Sequence, residues 1–109
     1  MTDLEKRQRA REFTVEAGAH RYTLRRPTAR QRIELSAGNR LDMVRACVVG
    51  WDLTSLDLYP GGDARPAAFD PDLWADWLAD NPALWDPLIE ALERRIAEHD
   101  AAMESAAKN

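Results

Sequence analysis

A chain of 109 residues that is 45% hydrophobic and 31% charged, with a single Cys and a formal net charge of −4, has the balance of one globular domain. Two folded domains and a disulfide-stapled scaffold are both excluded at this size and cysteine count. Area scaling gives roughly 6,000 Å² of folded surface against about 18,000 Å² unfolded, enough for one modest core.

The longest uncharged, largely apolar run, Ala46 to Trp51, falls far below the roughly 20 residues of a membrane-spanning helix. The opening MTDLEKRQRAR has no apolar segment to act as a secretion signal, so a reducing, cytosolic setting is expected. The net charge hides a division. Residues 1–50 carry 11 Lys+Arg and 6 Asp+Glu, whereas 51–109 carry 4 and 13. Such polarity can steer a charged partner, bind nucleic acid through the basic half, or draw the two halves together; the last is the reading preferred here.

Residues 1–11, polar apart from Leu4 and rich in Lys and Arg, are expected to be a flexible basic arm. Phe13 and Val15 alternate with polar neighbours, Ala17-Gly18-Ala19 makes a turn, and Tyr22 and Leu24 alternate again, which predicts a β-hairpin with one apolar face. Thr28 with Gln31 has the spacing of a capping box, opening a short helix through Ile33 and Leu35 that stops at Ser36-Ala37-Gly38-Asn39. From Leu41 to Val49 apolar residues recur at helical spacing, and Gly50 is placed to take a left-handed C-terminal cap. Trp51 to Pro71 reads as a long connection turning at Pro60-Gly61-Gly62-Asp63.

Asp70-Pro71 then starts a helix presenting Leu73, Trp74, Trp77 and Leu78, which breaks before Asn81-Pro82. A short turn carries Leu84 and Trp85, and Asp86-Pro87 opens a last helix to about Ala102, with Leu88, Ile89, Leu92, Ile96 and His99 as its stripe. The expected fold is α+β: an N-terminal β-hairpin followed by a small, mostly helical domain of about four helices. The expected domain spans 12–102, and 103–109 are expected to fray.

Catalytic chemistry finds little support in these residues. His20, His99 and Cys47 form no C-x-x-C or H-x-x-x-H pair, so no metal site is expected. Cys47 lies on the apolar side of its helix and reads as an inert thiol. Gly61-Gly62-Asp63 lacks the Lys-Ser/Thr of a phosphate loop, and no cofactor is expected. Arg25, Arg26, Arg30 and Arg32 flank the strand-to-helix junction but are not interleaved with aromatic residues, so nucleic acid is not the expected partner. What remains is an apolar inventory. Trp51, Trp74, Trp77 and Trp85 all fall in the second half, and Trp serves cores and binding hot spots alike. Trp51, Trp74, Trp77, Leu78, Leu84 and Trp85 are therefore the candidate lining of a groove for a partner's helix.

The order of pieces YTLRRPTARQRIEL, VRACVVGW, AAFDPDLW and LWADWLADNPALWDPLIEAL, over roughly residues 12–98, resembles the tail assembly chaperones of long, non-contractile-tailed bacteriophages and related prophages. The most telling features are Val49-Gly50-Trp51 closing the central helix, and Phe69 ahead of a helix followed by Asn81-Pro82. The resemblance implies a non-enzymatic protein of the host bacterial cytoplasm, absent from the finished virion. It would bind the tape measure protein, keep it soluble and help recruit tail tube protein, the latter through a longer frameshifted form of which this chain is the short version. Self-association is left open, and no membrane partner is implied. Other readings are a tail terminator or head–tail joining component, or a small DNA-binding regulator.

Overall fold

The computed structural model of the chain describes residues 1–108. Two antiparallel strands, β1 (Glu12–Ala17) and β2 (His20–Arg25), form the expected hairpin, with Gly18 at φ +61° supplying the left-handed turn residue. Phe13 lies opposite Leu24 and Val15 opposite Tyr22, so the alternation read from sequence becomes one apolar face; Tyr22 and Leu24 on it are fully buried.

A third strand joins the sheet where a helix end was expected. After α2 (Ala29–Leu35) and α3 (Arg40–Cys47), residues Val48–Trp51 leave the helix as β3, antiparallel to β2, giving the order β1-β2-β3. The expected helix through Val49 with a left-handed Gly50 is corrected: among the described residues only Gly18 and Gly61 have positive φ. Two β-branched valines favour extended backbone, and β3 runs beside Thr23 at Gly50, where an added Cβ would make ordinary van der Waals contact with the Thr23 Cβ at 3.4 Å. Pairing shifts at a bulge, with Val48 opposite Leu24 and Trp51 opposite Tyr22. Val48 and Trp51 are three positions apart, so a regular strand would turn one of them outward; the bulge returns both to the core face.

Thr28 and Gln31 form the capping box of α2: the Gln31 N–H donates to Thr28 Oγ1 at 3.2 Å and the Thr28 N–H donates to Gln31 Oε1 at 2.9 Å. No residue of α2 is buried, so local capping weighs more here than in a packed helix. Thr28→Ala should cost about 1 kcal/mol, read as a lower urea midpoint at unchanged slope. A second capping box, Asn39 with Asp42, starts α3.

The connection after β3 is folded back on itself. Leu53 is fully buried, a single turn of helix α4 (Ser55–Leu58) follows Thr54, and the return strand bonds to it through the Ala67 N–H to Leu53 O (2.9 Å) and the Leu56 N–H to Asp63 O (2.9 Å). The Asp70 carboxylate caps α5 (Pro71–Asp80), a 3-10 turn covers Pro82–Leu84, and α6 runs from Trp85 to Lys108. Asp86-Pro87, expected as a fresh helix start, lies inside the first turn of α6 because Trp85 already has helical backbone.

Among the described residues six helices stand where about four were expected, the additions being α1 (Asp3–Ala10) and α4. The arm at 1–11 is therefore helical over most of its length: Thr2 accepts from the Glu5 N–H, acids occupy the first turn and arginines the last, so capping and dipole complementarity replace an apolar stripe. The expected tail beyond residue 102 is likewise helical through Lys108. These extensions lengthen the molecule to 57 × 33 × 23 Å and raise its surface to 7407 Å², above the figure expected from mass.

The core lies between the sheet's inner face and α3, α5 and α6, with Val44, Cys47, Val48, Trp74, Leu78, Leu88 and Leu92 buried beside Tyr22 and Leu24. Attraction between the two charge halves contributes at its rim. Arg40 pairs with Glu93 at 2.7 Å and Arg32 with Asp100 at 3.0 Å, each joining the basic half to α6.

Candidate functional site

All four tryptophans are fixed from within. The Trp74 ring is fully buried, tilted against Tyr22 at 5.5 Å between centroids, and its Nε1–H donates to Arg45 O at 3.2 Å. Trp51 donates to Ala67 O at 2.9 Å and meets Phe69 edge-on at 5.0 Å. Trp77 donates to the Tyr22 hydroxyl at 3.0 Å, and Trp85 to Leu78 O at 2.6 Å. A buried indole N–H needs such a partner, and each of these bonds ties a ring to a different element of the core.

This burial divides the six candidate residues of the expected groove into two sets. Trp74, Leu78 and Leu84 are 0%, 2% and 6% exposed and line no open surface. Trp51, Trp77 and Trp85 are partly buried and pack on the same core. The six residues are brought together in or against one core, from β3, α5, the 3-10 turn and the start of α6. The helix periodicity that nominated them as a stripe is the periodicity of a core face.

The open apolar surface lies elsewhere. A cleft of about 150 Å³ sits between the α2–α3 corner and α6, lined by Leu35, Met43, Val44, Ile89 and Leu92, with Arg40 and Glu93 among its polar edges. It shares Ser36 and Met43 with a shallower neighbour that adds Ala29, Arg32 and Ile33. Ile33 is 74% exposed, the most exposed of the large hydrophobic side chains. A signal for this was present in sequence: Ile33 and Leu35 stand two apart on a helix and so face opposite sides, which obliges one of them to point outward. The ion pairs Arg32–Asp100 and Arg40–Glu93 carry charged groups beside this surface.

The titratable groups are accounted for structurally. Burial pushes the Cys47 thiol up from 9.0 to about 11, the direction of an unreactive thiol. Because the folded state holds this proton to higher pH than the unfolded chain, stability should be full below about pH 9 and fall by about 2–3 kcal/mol as pH rises to 11. Denaturant unfolding at pH 8 and pH 10.5 checks this, with Cys47→Ala removing the thiol's share of the alkaline loss and leaving that of the Tyr22 hydroxyl, which burial also pushes up. His20 lies between two carboxylates, its Nδ1 3.4 Å from Asp52 and its Nε2 3.6 Å from Asp57. The Asp57 carboxylate is held below its ordinary value by accepting from the Thr54 N–H and hydroxyl. Among the described residues no group of three or more His, Cys, Asp or Glu is arranged to hold a metal ion. Of the four arginines at the strand-to-helix junction, Arg25, Arg30 and Arg32 are paired with Glu12, Glu34 and Asp100, leaving Arg26 without a carboxylate.

The fold and cleft together define a small α+β protein with an exposed apolar surface flanked by charge. No family model, curated protein or solved structure matches the chain.

Proposed function

We propose that the chain is a tail assembly chaperone that binds an apolar stripe of the long helical tape measure protein and keeps it soluble while tail tube subunits gather around it. The observation that carries this reading is the Ile33–Met43 surface, which continues into the Leu35–Leu92 cleft. A long helix whose apolar stripe has no partner aggregates until it is covered, and a surface of this kind offers temporary cover. The order of sequence pieces over residues 12–98 supports the same reading. On it, the protein acts by binding in the host cytoplasm, carries no catalytic group and leaves before the virion is complete.

Co-expression with the long helical protein encoded just downstream tests the reading. The partner should move into the soluble fraction and co-purify with this chain. A partner that aggregates regardless, with this chain retained in purified particles, would instead assign it to the virion as a joining or terminator component.

A further inference from the structure

The sheet has the order β1-β2-β3, so β1 borders no strand on its outer side. Which of its backbone groups face that side follows from one bond. The Arg26 N–H donates to Arg11 O at 2.9 Å, and in an antiparallel ladder hydrogen-bonded pairs alternate with non-bonded ones. Phe13, Val15 and Ala17 therefore turn their N–H and C=O toward β2, in the pairs Phe13–Leu24, Val15–Tyr22 and Ala17–His20. Glu12, Thr14 and Glu16 turn theirs outward, where among the described residues they meet no hydrogen-bond partner.

Such a row of unpaired donors and acceptors takes up a further strand unless it is short, charged or covered. β1 has six residues, against four in β3 at the other edge. Its two acids do not guard it, because each is drawn across the pair onto β2: Glu12 to Arg25 at 3.1 Å and Glu16 to Arg21 at 3.0 Å. Nor is it covered. Thr14 is exposed, and a groove of about 220 Å³ lies beside it, lined by Phe13 and Val15 of β1 and by Ala91, Arg94, Arg95 and Glu98 of α6.

The charge of this groove selects what can fill it. Arg94 and Arg95 are exposed, and among the described residues neither has a carboxylate within 4.0 Å. Glu98 is the one acid of the lining, so a positive surplus remains. The Arg95 guanidinium lies over the Phe13 ring, 4.5 Å from its centroid, and is held beside the edge by the ring and not by an anion.

We propose that the outer edge of β1, with the groove beside α6, takes an extended acidic segment of a partner protein as a fourth strand of the sheet. Ladder bonds to Thr14 and Glu16 give the affinity. Side chains of a strand alternate between faces, so acids at every second position all lie on the α6 side and reach Arg94 and Arg95. A nucleic-acid backbone brings the negative charge but no alternating N–H and C=O, and would leave the edge unmet. The groove shares no residue with the Ile33–Met43 surface or the Leu35–Leu92 cleft, so this inference stands apart from the function proposed above.

The probe is a short blocked peptide of alternating Glu and Thr, titrated into the isotope-labelled full chain at about 20 mM salt, where screening is weak. The Thr14 and Glu16 amides should shift and become protected from hydrogen exchange, as in a paired strand. The same peptide methylated on the nitrogens that face β1 keeps its charge but cannot donate, and should bind about tenfold or more weakly. Thr14→Pro makes the matching cut from the protein side, since it removes an outward N–H and no bond to β2, a position where an edge strand tolerates Pro. If that variant fails to fold, the methylated peptide carries the same test on the wild-type chain. Arg94→Glu with Arg95→Glu should weaken binding of the Glu–Thr peptide by about tenfold or more and gain binding of a Lys–Thr peptide, a reversal that misfolding does not produce. No change at Thr14 with the Glu–Thr peptide, binding that ignores methylation, or equal binding of the Lys–Thr peptide by the wild type overturns the proposal. So does protection of Thr14 that grows with concentration in the chain alone, since a second copy would then hold the edge.

Discussion

Trp74→Ala is expected to remove about 3–5 kcal/mol of stability, the range for truncating a fully buried Trp. The ring is 0% exposed, touches Tyr22 of the sheet and Trp51 of β3, and bonds to Arg45 O of α3. Truncation would open a cavity at the meeting point of three elements and leave the Arg45 carbonyl without its donor. A domain of this size has about 5–15 kcal/mol in total, so the loss approaches the whole margin at the lower end. Thermal unfolding should fall by about 10–20 °C, with the denaturant slope unchanged. A drop of only a few degrees would mean that the core closes around the missing ring, and that the sheet and α5 are less tightly joined than their contacts indicate.

Ile33→Asp is expected to do the opposite: little to stability and much to partner binding. The side chain is 74% exposed on a helix with no buried residue, so unfolding should shift by about 0.5 kcal/mol at most. If the proposed function holds, a charge at the centre of this apolar surface should reduce co-purification of the proposed tape measure partner by about tenfold or more. Trp77→Ala is the paired control. It removes the bond to the Tyr22 hydroxyl and should lower stability while leaving partner capture intact. If Trp77→Ala releases the partner and Ile33→Asp does not, the docking face lies on α5 and the cleft beside α6 is not the site.

These two substitutions separate what periodicity conveys from what it does not. Trp74 and Leu78 stood out in the sequence because they recur at helical spacing, and that spacing reports only that one side of a helix is apolar. It does not report what covers that side. In the folded chain the Tyr22–Leu24 face of the hairpin covers it, and the residues expected to meet a partner meet the sheet instead. Ile33 was read as part of a short helix, but its exposure follows from how the α2–α3 corner sits on α6.

The sequence by itself determined the features set by neighbours a few residues apart. The hairpin with its turn at Gly18, the Thr28–Gln31 capping box, the Asp70-Pro71 start of α5 and the Leu88–Leu92 stripe of α6 all depend on local backbone preference, capping and side-chain period. Only the tertiary structure decided β3, since Val48–Trp51 extends because β2 offers it an edge and a bulge turns both Val48 and Trp51 inward. It alone decided which arginines find a carboxylate, because those pairs join residues as far apart as Arg32 and Asp100. Burial, pairing and exposure are properties of surfaces brought together from distant parts of the chain, and no local pattern carries them.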